Sequence, residues 1–282
     1  MARRLRVVHT TGYTYAGPAT SSFNEARLTP HSDARQNVVA EHVDVSPPAR
    51  LFRYTDYWGT TVSAFDLHSP HDRLEVVSSA VVETDAENRS DEALSATWER
   101  LAGDDVLDEF DEMLTPTAYV PHRRSLAAFA ADVAGDLRPA DAVTAIASRV
   151  HREMTYEPGT TEVTTAAPDA WRRRSGVCQD FAHITLAMVR SLGIPARYVS
   201  GYLHPRPDAG IGDAVDGESH AWVDVWTGGW WGVDPTNDIL ITDRHISVGV
   251  GRDYADVPPF NGIYTGTAAS DLDVSVRITW LA

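Results

Sequence analysis

Lysine is missing from this 282-residue chain, and all 24 basic residues are arginine. Its own surface therefore offers no side-chain amine as an acceptor. Cysteine is nearly missing too, since Cys178 stands alone. A lone cysteine excludes an internal disulfide, which fits a reducing compartment. No run approaches the roughly 18 consecutive apolar residues of a membrane span. The opening MARRLRVVHTTGYTYAG is charged but lacks the apolar run of about 7–15 residues that marks a signal peptide. The expected setting is soluble and cytoplasmic, without a membrane partner. Basic stripes are also missing. Against 40 acidic residues the formal net charge is −16, so nucleic acid is not an expected partner.

What is present is enough apolar residue, 43% of the chain, to build sizeable cores. Residues 1–85 read as a β-rich domain. Segments such as LRVVHTTGYTY and VVSSAVVET carry β-branched and aromatic residues in partial alternation, separated by Gly, Pro, Asn and Asp. A hairpin is expected over Tyr54 to Phe65, centred on Trp58-Gly59, within a small all-β sandwich. Residues 86–118 are strongly acidic, and the spacing of Leu94, Trp98 and Leu101, then Val106, Phe110 and Met113, predicts a pair of solvated linking helices. Residues 119–282 form the expected catalytic core with C-terminal strands. There Val143, Ile146, Ala147, Val150 and Met154 share one helical stripe. A second helix carries Val177, Phe181, Ile184, Met188 and Leu192 and stops at Gly193 and Pro195. Three strands follow in ARYVSGYL, ESHAWVDVW and GWWGVDPTN. Helix then consecutive strands argues for α+β rather than a doubly wound sheet.

Cys178 falls in the first turn of that second helix. The unpaired amide groups of a helix N-terminus favour an anion, so a thiol held there ionises more readily and becomes a nucleophile. The same amides can donate to the oxyanion of a tetrahedral intermediate. Gly176 is expected to allow a substrate backbone to approach closely. The sequence marks no second oxyanion donor; Trp171, Tyr156 and Gln179 read as packing or positioning residues.

A thiolate needs an imidazolium partner. His183 lies about 140° around the helix from Cys178, which predicts a structural role. His220 opens a strand whose alternation sets Ala221, Val223 and Val225 on one face. His220, Trp222, Asp224 and Trp226 occupy the other, where a cleft-facing base would sit. Asp224 shares that face but lies roughly 13 Å along the strand, beyond a hydrogen bond. Asp234 lies on the next strand. A two-residue Gly-Gly turn would pair Val223 with Asp234, the wrong face. A three-residue loop pairs Trp226 with Trp230 and makes Asp234 the diagonal neighbour of His220. That loop, with a glycine in a left-handed conformation, is the predicted register.

The segments SGVCQDFAH, LGIPARYVSGYL, ESHAWVDVW with GGWWGVDPTN, and HISVGVGRDYADVPP resemble bacterial transglutaminase-like proteins of the papain-type fold. The resemblance runs from about Trp171 to Pro259, and residues 1–85 resemble the family's β-rich N-terminal domain more weakly. It implies a helix bearing the nucleophile at its N-terminus, packed on an antiparallel sheet. It also implies Cys178 as nucleophile, His220 as general base and acid, and Asp234 as the residue that orients it. The expected activity is a cysteine protease or amidase acting on a protein or peptide substrate through a thioester. The alternatives are a transglutaminase that passes the acyl group to an amine, and a non-catalytic binding protein with a papain-like core. No cofactor and no metal are expected. His68 and His71 read as a surface turn, and Asp213 to Ser219 as a mobile flap that borders the cleft with Pro205 and Pro207. Nothing in the sequence sets the oligomeric state.

Overall fold

A computed structural model describes residues 3–86, 89–217, 219–266 and 269–282. Its architecture is α+β, with a β-rich unit joined to a core of helices on an antiparallel sheet. The hairpin at Trp58-Gly59 forms as expected. Phe52–Thr55 pairs with Thr61–Leu67 through Thr55 opposite Thr61, and the Asp56 carboxylate accepts from the Trp58 and Thr60 amides.

The β-rich unit is a sandwich of two antiparallel sheets, one of five strands and one of four. Alternate side chains point inward, and Tyr15, Leu28, Val43, Phe65, Leu67, Leu74 and Val76 fill the space between them. Its composition corrects the expected domain boundary. The strand Ser270–Trp280 pairs along Arg3–Ala19, from Leu5 opposite Trp280 to Tyr15 opposite Ser270, and Phe260–Thr265 pairs with Ser21–Ala26. The C-terminal strands therefore complete the N-terminal sheets and do not extend the 119–282 core. Ala214–Gly217, expected as part of a mobile flap, is a strand paired with Ser270–Trp280. Glu218 of that expected flap lies outside the described residues.

The acidic connection also differs from the expected pair of wet helices. It forms three short helices, Trp98–Leu101, Asp104–Glu109 and Asp111–Leu114. Leu101, Val106 and Phe110 are buried, because the acidic residues occupy one side and the apolar ones cover the core. Just before them, the Ala93 carbonyl accepts from the Thr227 hydroxyl.

In the core sheet the strand order is Ile239–Leu240, Trp230–Asp234, Ser219–Trp226, Ala196–Leu203, His245–Gly251, all antiparallel. The helix Cys178–Ser191 packs on Ser219–Trp226 and Ala196–Leu203 and is itself covered by Arg124–Ala134, Pro139–Glu153 and Ala167–Arg173. Phe181, Ile184 and Met188 are at most 1% exposed against Ala221, Val223 and Val225. Each such side chain stabilises this contact by about 2 kcal/mol relative to exposure. A second cluster joins the two units: Leu5, Val7, Ala80, Val82 and Ile278 from the sandwich meet Tyr202, Ile246 and Val248 from the core. The Gln36 amide adds two bonds across it, donating to the Ser247 carbonyl at 2.8 Å and accepting from the Ser247 amide at 2.9 Å. Among the described residues no helix is long and apolar enough to cross a membrane.

Candidate active site

Cys178 is the first residue of its helix, preceded by Val177 in an extended conformation. The start of this helix is fixed from inside. Asp180, three residues on from Val177, turns its Oδ2 back to accept the Val177 amide at 2.8 Å and the Thr161 hydroxyl at 2.7 Å. Burial raises the Asp180 pKa, and these two bonds oppose that shift. Gly176 also has a structural role. A Cβ at that position would lie 2.4 Å from Asp180 Oδ2, so glycine makes room for the capping carboxylate. The Cys178 side chain is part-buried, with Sγ 3.9 Å from the Ser219 carbonyl oxygen.

The register that brings Asp234 to His220 follows the predicted loop. Trp226 lies opposite Trp230 and Val223 opposite Val233, across a three-residue connection. Gly228 in that connection has φ 117°, and a Cβ there would sit 2.1 Å from the Glu92 carbonyl oxygen. Asp234 consequently falls on the His220 face, and its Oδ2 accepts from His220 Nε2 at 2.7 Å. Asp224 is engaged elsewhere, accepting from Arg197 Nη2 at 3.1 Å. His183 points away from Cys178, as its helical angle predicts; its Nε2 accepts the Tyr254 amide at 3.1 Å between the rings of Tyr119 and Tyr198.

Electrostatics separates these rings. Burial disfavours the His220 imidazolium, but the charge and hydrogen bond of Asp234, with further support from Cys178, raise its pKa to about 10. Burial likewise disfavours the Asp234 carboxylate, yet the neighbouring His220 charge and the bonds from His220 and His245 hold it well below the usual carboxylate range. The His220 ring thus carries its second proton at neutral pH, favoured first by Asp234 and to a smaller degree by Cys178.

Three residues that sequence reasoning missed complete the surroundings of Asp234. Asn237 Nδ2 donates to Oδ2 at 2.7 Å, and the Thr236 and Asn237 amides donate to Oδ1 at 3.0 and 3.2 Å. His245, fully buried on the far strand of the sheet, places Nε2 3.3 Å from the same Oδ2. The only signal for Asn237 is its place three residues after Asp234 in DPTN. His245 has no local signal, because its strand reaches the site only through pairing.

His220, Asp234 and His245 set three potential ligand atoms within 4.8 Å of one another. Their protonation does not suit a cation. The Thr242 amide donates to His245 Nδ1 at 3.1 Å, so the neutral ring carries its proton on Nε2, the atom a metal would need bare. His68 and His71 do not converge either: one contacts Asp66 and the other the Ser69 carbonyl.

A solvent-facing cleft of about 380 Å³ opens at His220, lined by Tyr156, Leu203, Pro205, Asp216, His220 and Asn237 among others. Tyr156 is held opposite Gly176 in a short parallel ladder and forms a cleft wall. Trp171 packs edge-on to Phe129 beneath Arg174, and Gln179 ties Val163 to the helix. Asp213 and Asp216 of the expected flap are paired with Arg206 and Arg277. A larger concavity of about 730 Å³ lies on the four-stranded sheet. Its walls hold no cysteine or histidine, so it is not the site of this chemistry.

The model described as the transglutaminase-like superfamily matches residues 127–235, spanning Cys178, His220 and Asp234. The model described as the bacterial transglutaminase-like N-terminal region matches residues 5–83. The chain belongs to the transglutaminase-like superfamily. An uncharacterized protein of Mycobacterium leprae (strain TN) is 55% identical over 279 residues, covering 99% of each chain. A protein-glutamine gamma-glutamyltransferase of Pseudomonas aeruginosa is 33% identical over 121 residues, which is 38% of this chain and 18% of that protein. In structure, this superfamily member matches a Cytophaga hutchinsonii protein named a candidate cysteine protease, with TM-score 0.80 and 22% identity over 100% of this chain and 92% of that one. That likeness supports the papain-like fold. Membership of the superfamily supports cysteine-based catalysis in general.

Proposed function

We propose that this chain is a cysteine-dependent acyl-transfer enzyme that hydrolyses peptide or amide bonds, with Cys178, His220 and Asp234 as its catalytic residues. The observation that carries this reading is the 2.7 Å bond from His220 Nε2 to Asp234, with Cys178 at the N-terminus of the helix packed on the strand of His220. That arrangement leaves Nδ1 for the sulfur.

The thiolate of Cys178 adds to the substrate carbonyl carbon, and the carbonyl π electrons move to oxygen. The free amides at the N-terminus of helix Cys178–Ser191 stabilise that oxyanion. As the oxyanion collapses, the C–N bond breaks and His220 Nδ1 gives its proton to the departing amine, leaving a thioester. Water then attacks the thioester carbon while Nδ1 takes its proton. The C–S bond breaks, releasing a carboxylic acid and restoring the thiolate. Asp234 stays ionised throughout and keeps the ring aligned.

Water is favoured as the acceptor because the cleft faces solvent, with Tyr156 44% exposed at its rim. The expected substrate is a protein or peptide, and the lone unpaired cysteine supports a reducing, cytoplasmic setting. Transamidation is the second reading, favoured by the identity shared with the glutamyltransferase over 121 residues. Incubation with a glutamine peptide and a labelled amine separates the two. Release of glutamate or cleaved peptide supports hydrolysis; incorporation of label without comparable hydrolysis overturns it. If Cys178→Ala turns over substrate as well as the native chain does, the nucleophile is wrong. Failure of Cys178 to label with any thiol reagent would favour a non-catalytic binding role.

A further inference from the structure

Asp234 is fully buried and accepts five hydrogen bonds, of which the proposed reaction uses one. The bond from His245 differs from the rest. The Thr236, Asn237 and His220 donors come from the strand bearing Asp234, the turn after it, or the adjoining strand. His245 comes from the opposite edge of the five-stranded core sheet, beyond Ala196–Leu203. Its ring is 6.2 Å from that of His220 and edge-on to Trp222 at 5.3 Å, so the indole seals the group from behind.

From this geometry we infer that His245 is a positioning residue that acts through Asp234: a buried neutral imidazole whose Nε2–H holds the carboxylate oxygen in line with His220. The inference rests on the proposed role of Cys178 and His220 and extends it to a fourth side chain. The direction of the bond is set by the backbone. Thr242 donates its amide to Nδ1, so Nδ1 accepts and the proton sits on Nε2, facing the carboxylate. A doubly protonated ring would oppose two donors at Nδ1. Burial acts the same way, lowering the pKa of His245 more than Asp234 can restore it. At 3.3 Å this bond is longer than the 2.7 Å bond from His220. Asp234 Oδ2 is thereby steadied without being drawn from the imidazolium it serves. The charged and titratable groups acting on His245 are Asp234, His220 and Arg244. None of them offers Nδ1 an acceptor that would turn the ring over.

The full chain has one cysteine, so its reaction with iodoacetamide reads Cys178 alone and needs no substrate. We compare the second-order rate for the native chain, His245→Leu, His245→Gln and His220→Ala, with melting temperatures for each. Leucine removes the donor, whereas glutamine can return an N–H near the Nε2 position. The expected result is a loss of about tenfold in His245→Leu, the scale of one hydrogen bond to a charged group. Most of the rate returns in His245→Gln, even where the two variants melt alike. A folded His245→Leu that reacts at the native rate overturns the inference, as does a His245→Gln no faster than His245→Leu. If the leucine variant does not fold, a folded glutamine variant that has lost the rate overturns it equally. His220→Ala reports on the foundation: a native rate there overturns the proposed function, whereas a slow His220→Ala beside a fast His245→Leu overturns only the role of His245.

Discussion

Two histidines lie within reach of the same helix, and their surroundings differ in one respect. His183 is packed between Tyr119 and Tyr198 with, among the described residues, only a backbone amide donating to it, and burial, with Arg190 nearby, lowers its pKa to about 3. His220 is nearly as buried, but Asp234 stands 2.7 Å away and its pKa rises to about 10. The same ring is thus a neutral packing group in one pocket and a cation in the other. Burial alone makes a histidine inert, and burial beside a fixed carboxylate charges it.

The largest effect should come from removing the charged ring. His220→Ala is expected to slow alkylation of Cys178 at neutral pH by about a hundredfold or more, on the scale of a positioned acid–base group. His183→Gln, which keeps an acceptor for the Tyr254 amide, should leave the rate of the folded protein near native. Equal losses in both variants would break the comparison.

Next comes the source of the charge. In Asp234→Asn the His220 titration, followed by imidazole NMR, should fall by about two units, since a neighbouring carboxylate is the main opponent of burial. An unmoved midpoint would mean that something other than Asp234 charges the ring.

Stability should divide the two rings by pH. Unfolded, both titrate near 6.5. Folded His183 refuses a proton that the unfolded chain accepts, so its contribution is complete above pH 6.5 and is lost as pH falls toward about 3. Folded His220 keeps a proton that the unfolded chain releases, so its contribution is complete below pH 6.5 and is lost as pH rises toward about 10. Urea unfolding across this range should show a shallower acid limb in His183→Gln and a shallower alkaline limb in His220→Gln. Native slopes in both variants would contradict the assignments.

The smallest effect is expected at Asp224, which shares the strand face of His220 but bonds Arg197. Asp224→Asn should leave the alkylation rate unchanged. A loss as large as that of Asp234→Asn would reassign the orienting acid.

Local pattern carried much of this site. The apolar spacing from Val177 to Leu192 starts a helix at Cys178, and strand alternation with the glycine-bearing loop brings Asp234 to the face of His220. These relations span few residues, so periodicity and turn geometry suffice to read them. Asp180 as the cap for Val177, and hence the need for Gly176, was legible in principle from the three-residue spacing but is evident only from the contact.

Sequence alone determined the helix that lifts Cys178, the hairpin that presents His220 and Asp234, and the superfamily those segments resemble. Tertiary structure alone decided that Ser270–Trp280 returns to pair with Arg3–Ala19, that Ala214–Gly217 joins that sheet beside the cleft, and that His245 meets Asp234 from across the core sheet. The reason is physical. Pairing between strands distant in sequence is chosen by which faces must be buried together, and no local period records that choice.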